Sequence, residues 1–179
     1  MSSDVRLMSY LPLLDRFRLQ GVEQKEIRSN LFFVLESADL TRCPKVTDLI
    51  ARHKKVAGIY FWTALVNGEE YKVYAGQTNS LSYRITNYTA PFQPHSPNDF
   101  KLLIFSAFMK EIAPESTLRL YSREVAAMDL KVEEKAFIAK HQPLLNVSRK
   151  PTAEARNKLR DAFSQFYRAS FEGVLRNDV

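Results

Sequence analysis

Four side chains in the middle of the chain could together support chemistry at a phosphate group: Tyr60, Tyr74, Arg84 and Glu134. A guanidinium can bind two phosphate oxygens at once and stabilise the negative charge that develops on them. One carboxylate beside a phosphate is often sufficient to hold Mg²⁺. Tyrosine hydroxyls could orient an attacking water, although a phenol with its usual pKa of about 10 is a poor base. These residue types suit the hydrolysis of a phosphate ester.

The two tyrosines lie in segments that are typical of a β-hairpin. Residues 58 to 66 are aromatic and β-branched, residues 71 to 75 form the returning strand, and Asn67-Gly68 is a strong turn signal. A strict two-residue loop would place Tyr60 and Tyr74 on opposite faces of the sheet. A three-residue loop that includes Val66 pairs them directly. We therefore predict that loop, or another of the same parity.

The remaining pattern predicts an α+β protein with a small, three-stranded, mostly antiparallel sheet flanked by helices. The first fifty residues favour helices, one of them running through Ile27, Leu31, Val34 and Leu35. Ser96 and Pro97 are expected to begin a later helix. The predicted elements of the central part are helices over 80–88 and 129–141 and a strand over 118–125. The predicted units are a helical extension (1–55), a central domain (56–147) and a C-terminal amphipathic helix (148–179).

Four ordered motifs in the central domain resemble the GIY-YIG nuclease superfamily. The first triplet is Gly58-Ile59-Tyr60, and the second is Tyr74-Ala75-Gly76, with alanine in place of isoleucine. Arg84 follows Gly76 by eight residues, the spacing of the family's catalytic arginine. Glu134 resembles the family's metal-binding glutamate, and Asn146, after Pro143-Leu144-Leu145, its terminal asparagine. Glu133 is the neighbouring alternative for the metal ligand, but the spacing to Ile138 favours Glu134.

The resemblance implies a divalent-metal-dependent endonuclease that uses Mg²⁺ or Mn²⁺. Arg84 would stabilise the transition state, Glu134 would hold the metal, and Tyr60 and Tyr74 would position or activate the nucleophilic water. Family members often carry histidine four residues after the arginine, where this chain has Tyr88. Branches without that histidine place a lysine on the following helix, and Lys101 is the candidate for it here.

Each of these side chains also has a structural interpretation. Tyr60 and Tyr74 could be cross-strand core aromatics, and Arg84 and Lys101 could be solvated surface residues. Asn146 could cap backbone groups near the site. The three histidines share no metal-ligand spacing and are expected on the surface. The order of the motifs favours the functional interpretation for the tyrosines, Arg84 and Glu134.

Composition and charge indicate a globular protein that could bind a polyanion. The 179 residues are 45% hydrophobic, and 26 Lys and Arg against 20 Asp and Glu give a net charge of +6. Basic residues concentrate in segments 41–55 and 149–168. The expected partner is DNA, double-stranded, cut by a free-standing phage or restriction-type enzyme that could act as a homodimer. The alternatives are an RNA-cleaving nuclease or toxin, and a non-catalytic DNA-binding module.

The expected location is the cytoplasm. The chain has one cysteine, so no disulfide can form within it, which suits a reducing compartment. The first residues lack a long apolar run, and neither a signal peptide nor a membrane span is predicted.

Overall fold

The computed structural model describes residues 14–40, 55–89, 92, 94 and 96–147. In chain order, these residues form a 3₁₀ turn (Asp15–Phe17), α1 (Gly21–Asn30), β1 (Phe32–Ser37), β2 (Gly58–Val66), β3 (Glu69–Thr78), α2 (Leu81–Thr89), α3 (Pro97–Ile112), β4 (Thr117–Glu124), α4 (Leu130–His141) and α5 (Leu144–Val147). The expected α+β class is confirmed. The predicted C-terminal helix lies outside the described residues.

Within the described residues, the sheet has four strands, not the predicted three. Their order is β1-β4-β2-β3, and every neighbouring pair is antiparallel. The additional strand is β1, where a helix was expected to continue through Val34 and Leu35. A short apolar run fits either a buried strand or a buried helix, so periodicity could not decide between them. Pairing with β4, which is distant in sequence, makes this segment a strand.

The β2–β3 hairpin closes with a two-residue turn, so the predicted three-residue loop is wrong. Val66 pairs with Glu69, and Asn67 and Gly68 both have positive φ, as a type I′ turn requires. The parity is nevertheless the expected one. Trp62 pairs with Tyr74 while Thr63 pairs with Lys72, so Val73 is an extra residue in a β-bulge. The bulge brings Tyr74 to the face that carries Tyr60.

Helices cover both faces of the sheet. The first cluster of buried side chains joins one sheet face to α2, α3 and α5, and includes Trp62, Ile85, Phe105 and Leu145. The second cluster joins the other face to α1 and α4, and includes Ile27, Phe61, Ala75 and Phe137. The central strand β2 alternates between the two clusters, so both its faces are buried.

The start of α3 is confirmed as predicted. Ser96 is the N-cap, its hydroxyl accepts from the backbone N–H of Asp99, and Pro97 occupies the first turn. The Asp99 carboxylate in turn accepts from the backbone N–H of Ser96 at 3.1 Å, which completes a capping box. None of the helices in the described part of the chain combines the length and apolarity that crossing a bilayer requires.

Candidate active site

Tyr60 and Tyr74 lie side by side on one face of the hairpin, which confirms that they share a face. Their ring centroids are 6.0 Å apart. Tyr60 pairs across the strands with Gly76, not with Tyr74 as the three-residue loop required. Both rings are at least 95% buried within the first hydrophobic cluster. Their hydroxyls converge over Gly76, at the end of the sheet.

Gly76 is needed because the tyrosine hydroxyls occupy the space that a side chain would fill. A Cβ at this position would lie 2.5 Å from the Tyr60 hydroxyl oxygen and 3.0 Å from that of Tyr74. The backbone φ of Gly76 is not in the left-handed region, so the requirement is steric. Glycine therefore allows the two phenol groups to approach the strand backbone.

Gly76→Ala should destabilise the protein by about 1–3 kcal/mol through overpacking, and should displace the tyrosine pair. Gly21→Ala is the matched control, because Gly21 has a φ of 59° and open space around its Cα. That variant should cost about 1 kcal/mol through backbone conformation alone. Urea unfolding of both variants measures the two costs. A Gly76 variant as stable as the wild type would show that the hydroxyls do not occupy this space.

Arg84 extends from α2 to the tyrosines and is clamped on three sides. Its guanidinium carbon lies 5.1 Å from the Tyr60 ring centroid and 4.9 Å from that of Tyr88. Its two terminal nitrogens donate to the two carboxylate oxygens of Asp99. The Arg84 side chain is only 16% exposed, so the solvated-surface interpretation is wrong. Burial opposes its charge, but the paired Asp99 carboxylate raises its pKa and keeps it protonated.

Tyr88, which stands where the family often has histidine, is fully buried behind this clamp. Its ring contacts Tyr60 at 6.0 Å, Trp62 at 4.9 Å and Phe92 at 5.4 Å between centroids. Its hydroxyl has no hydrogen-bond partner among the described residues. Tyr88 supports the positions of Tyr60 and Arg84 by packing.

The three phenol groups favour the protonated form. Burial raises the pKa of Tyr60, Tyr74 and Tyr88 above the ordinary value of 10.0, although the charge of Arg84 acts in the opposite direction on each. The two hydroxyls also hydrogen-bond to each other. At neutral pH these groups are hydroxyls, able to donate hydrogen bonds.

Glu134 reaches the same end of the sheet from α4, in the opposite layer. Its carboxylate accepts from the backbone N–H of Gln77, and its charge contributes to raising the pKa of Tyr74. Burial raises the pKa of Glu134 itself, and no described residue forms an ion pair with it. Glu133 points elsewhere and pairs with Arg123 at 2.8 Å.

The donor set fits Mg²⁺ or Mn²⁺ bound mainly by water and substrate phosphate. No group of three or more His, Cys, Asp or Glu side chains converges in the described ranges. A site built wholly from protein ligands is therefore not seen there. Glu134 is a half-desolvated carboxylate without a cationic partner in those ranges, which is the environment in which one carboxylate and a phosphate can hold such a cation.

Glu134→Gln should be more stable than the wild type at neutral pH in the absence of metal. The folded-state pKa of Glu134 is raised, so its ionised form destabilises the native state above that pKa. The penalty disappears as the pH falls through the folded and then the unfolded pKa. The stability difference should therefore shrink in acid, as urea unfolding at pH 7 and pH 4 would measure. Equal stability of the two proteins at pH 7 would contradict the raised pKa.

Asn146 and Lys101 have mainly structural contacts in the described residues. The Asn146 side-chain amide accepts from the N–H of Ala75 and donates to its C=O, both at 2.8 Å, so it caps the free edge of β3. These contacts agree with the interpretation of Asn146 as a cap of backbone groups near the site. Lys101 is 2% exposed and donates to the carbonyl oxygen of Leu145 at 3.0 Å. The surface-lysine interpretation is therefore wrong, and Lys101 joins α3 to α5.

One expected surface residue is also buried. His141 is 3% exposed, packs against Phe137 with the rings tilted by 47°, and lies 2.8 Å from a Glu23 carboxylate oxygen. His53 and His95 lie outside the described residues.

The site residue that sequence reasoning missed is Asp99. The Ser-x-x-Asp spacing from Ser96 signals a capping box, so the contribution of Asp99 to the helix start was open to prediction. Its pairing with Arg84 was not, because the two residues belong to different helices and meet only through the packing of α2 and α3. The sequence indicated Gly76 only as part of a motif. Its steric role depends on where the two tyrosine rings lie.

No known protein-family model matches this chain, and neither a curated protein nor a solved structure does so. The likeness to the GIY-YIG superfamily therefore rests on the motif residues themselves.

Proposed function

We propose that this chain is a GIY-YIG-type endonuclease that hydrolyses phosphodiester bonds of double-stranded DNA with a divalent cation. The observation that carries the proposal is the meeting of three kinds of group at one end of the sheet. Two tyrosine hydroxyls converge over Gly76, and Arg84 of α2 contacts the ring of Tyr60. The charge of Glu134, on α4, contributes to raising the pKa of Tyr74. These are hydrogen-bond donors, a fixed cation and a carboxylate, as hydrolysis of a phosphodiester requires.

The tyrosines would act by positioning the nucleophilic water. Burial raises the pKa of both phenol groups, which disfavours the phenolate and hence a role as strong general base. A protonated hydroxyl can still orient water and donate to a phosphate oxygen. Arg84 stays charged in this environment and would stabilise negative charge on the phosphate.

Glu134 would hold the cation. When bound, Mg²⁺ or Mn²⁺ would supply Lewis-acid stabilisation of the phosphate and a more acidic water. The carboxylate itself is partly desolvated and lies next to the backbone of Gln77, one residue after Gly76. Its position at the tyrosine end of the hairpin supports a shared site.

The proposed biological class is a free-standing restriction-type or phage enzyme of the cytoplasm. Phosphate contacts from basic segments 41–55 and 149–168, which lie almost wholly outside the described residues, would add affinity without sequence information. Cutting both strands needs two active sites or two sequential nicks, so a homodimer is one arrangement. Lys101 and Asn146 would contribute by keeping α3, α5 and β3 together.

The ion pair between Arg84 and Asp99 favours a second candidate, a DNA-binding module without catalysis. A guanidinium whose two terminal nitrogens already bind a buried carboxylate has part of its charge neutralised. Such a pair is also what a purely structural arginine would form. The two candidates differ in whether purified protein cuts DNA.

A plasmid digest with Mg²⁺, beside EDTA and beside an RNA transcript of the same sequence, separates the candidates. We expect EDTA-sensitive cleavage of the plasmid and an intact transcript. Cleavage of the transcript alone would make the protein a ribonuclease, since discrimination then rests on the 2′-hydroxyl. Retained plasmid binding without cleavage would support the non-catalytic module.

A further inference from the structure

Asp99 is a buried carboxylate that joins the start of α3 to the guanidinium of Arg84. It is 1% exposed, and its two oxygens accept from the two terminal nitrogens of Arg84. One of these oxygens also accepts from the backbone N–H of Ser96 at 3.1 Å, and the Asp99 N–H donates to the Ser96 hydroxyl at 3.2 Å. The cap of α3 therefore fixes the position of the carboxylate that pairs with Arg84.

Some N–H groups of the Arg84 guanidinium donate hydrogen bonds within the protein, and others do not. A guanidinium has five N–H donors in a planar fork. The end of the fork faces Asp99, while the rings of Tyr60 and Tyr88 lie 5.1 and 4.9 Å from its carbon. Its Nε is buried and has no hydrogen-bond partner among the described residues. The donors left for a phosphate are therefore the N–H groups of the two terminal nitrogens that point away from Asp99.

We propose that Asp99 is a positioning residue, which orients Arg84 so that the donors away from Asp99 can bind a substrate phosphate. The catalytic role of this orientation rests on the proposed nuclease function. The binding of the guanidinium does not. Asp99, Tyr60 and Tyr88 form a guanidinium-binding site, and the Arg84 side chain of the same chain occupies it. Two aromatic faces and a planar carboxylate are the groups that recognise a guanidinium.

The geometry favours a permanent ion pair between Asp99 and Arg84 over a pair that opens when substrate binds. Releasing Arg84 would break its ion pair with the buried Asp99 carboxylate, which is unfavourable in a poorly hydrated interior. Moving the carboxylate away would break the Ser96 capping box as well. Asp99 is therefore built into the helix start and is suited to fix one arginine orientation.

Steady-state cleavage by Asp99→Asn distinguishes a permanent ion pair that orients Arg84 from a latch that opens for substrate. Loss of the charge should lower kcat about 10- to 100-fold while KM changes less than about threefold, because orientation and not substrate contact is lost. Asp99→Glu should recover part of the rate. Glu36→Gln is the matched control, since it removes the carboxylate from the 2.8 Å pair with Arg119, outside the candidate site. A kcat for Asp99→Asn at or above that of the wild type would overturn the inference in favour of a latch.

Guanidinium binding tests the holding site without using activity. Methylguanidinium at low millimolar concentration should raise the melting temperature of Arg84→Ala and change the emission of Trp62, the single tryptophan, whose ring lies 4.9 Å from that of Tyr88. Urea at the same concentration is the uncharged control. If Arg84→Ala is unstable alone, methylguanidinium should restore its cooperative unfolding. Arg84→Ala/Asp99→Ala should show none of these responses.

The outcomes keep the two proposals apart. Equal responses of the single and double variants would remove Asp99 from the holding site, whatever the cleavage result. Asp99-dependent binding with no cleavage by the wild type would keep the guanidinium site and reject the nuclease. Asp99-dependent binding that also restores cleavage to Arg84→Ala would support both.

Discussion

Arg84→Ala should reduce DNA cleavage by about 10²- to 10³-fold, the cost of removing one preorganised donor group from a developing negative charge. The arginine is fixed between two aromatic rings and a carboxylate, so solvent cannot replace it without reorganisation. Most of the loss should lie in kcat, because the charge that Arg84 would stabilise develops in the transition state. Single-turnover cleavage of a short duplex under saturating protein is the direct measurement.

Arg84→Lys is the informative second variant. Lysine keeps the charge but cannot make the paired contacts of a planar fork, so it should restore little of the rate. A lysine variant with near wild-type activity would mean that only charge matters at this position. Arg28→Ala is the control, because Arg28 lies on α1 with its side chain 57% exposed. That variant should cut like the wild type.

Stability must be measured beside activity for Arg84, since the substitution breaks the ion pair with the buried Asp99 carboxylate. Breaking a buried pair in this way costs about 3–5 kcal/mol. Emission from the fully buried Trp62 reports whether the packing around the site survives. If Arg84→Ala is folded by this criterion and cuts normally, Arg84 has no catalytic role.

Glu134→Gln should remove metal-dependent cleavage, with a loss of several kcal/mol of transition-state stabilisation. At about 1.36 kcal/mol for each tenfold change, this is a loss of at least about 10²- to 10³-fold. The same variant should lose the stabilisation that Mg²⁺ gives the wild type in thermal unfolding, because a ligand stabilises only the state that binds it. The two measurements report on catalysis and on metal binding separately.

The adjacent Glu133 provides a control that is one residue away. Glu133→Gln breaks an ion pair with Arg123 whose side chains are 33% (Arg123) and 45% (Glu133) exposed. Its cost in stability should be small, because exposed pairs contribute about 0–1 kcal/mol. It should retain both cleavage and the response to Mg²⁺. Loss of cleavage in Glu133→Gln with retention in Glu134→Gln would move the metal ligand by one residue. Loss in neither would leave the chain without the proposed metal site.

The hairpin illustrates how far the sequence predicts the site. The parity that brings Tyr60 and Tyr74 together was open to prediction, because a shared site requires it. The backbone feature that produces this parity was not open to prediction. The turn signal Asn67-Gly68 was read as part of a longer loop, but it forms a two-residue turn, and a bulge at Val73 supplies the extra residue. Bulges leave a weak sequence signal because the extra residue is an ordinary one.

The strand β1 shows the other limit. Its apolar residues Val34 and Leu35 satisfied a helical pattern that also included Ile27 and Leu31. The pairing of β1 with β4 joins residues 81 to 90 positions apart in sequence, and no local propensity records such a partner. The count of three strands followed from this error.

The sequence by itself determined the α+β class, the hairpin, the cap of α3 and the motif residues, because each depends on local propensity or spacing. Only the tertiary structure decided that Asp99 holds Arg84, that Gly76 lies beneath two hydroxyls, and that Glu134 approaches from the opposite layer. These relations join residues from different elements. They depend on how two helical layers pack against one sheet, and such packing is set by all the buried side chains together and not by any local segment.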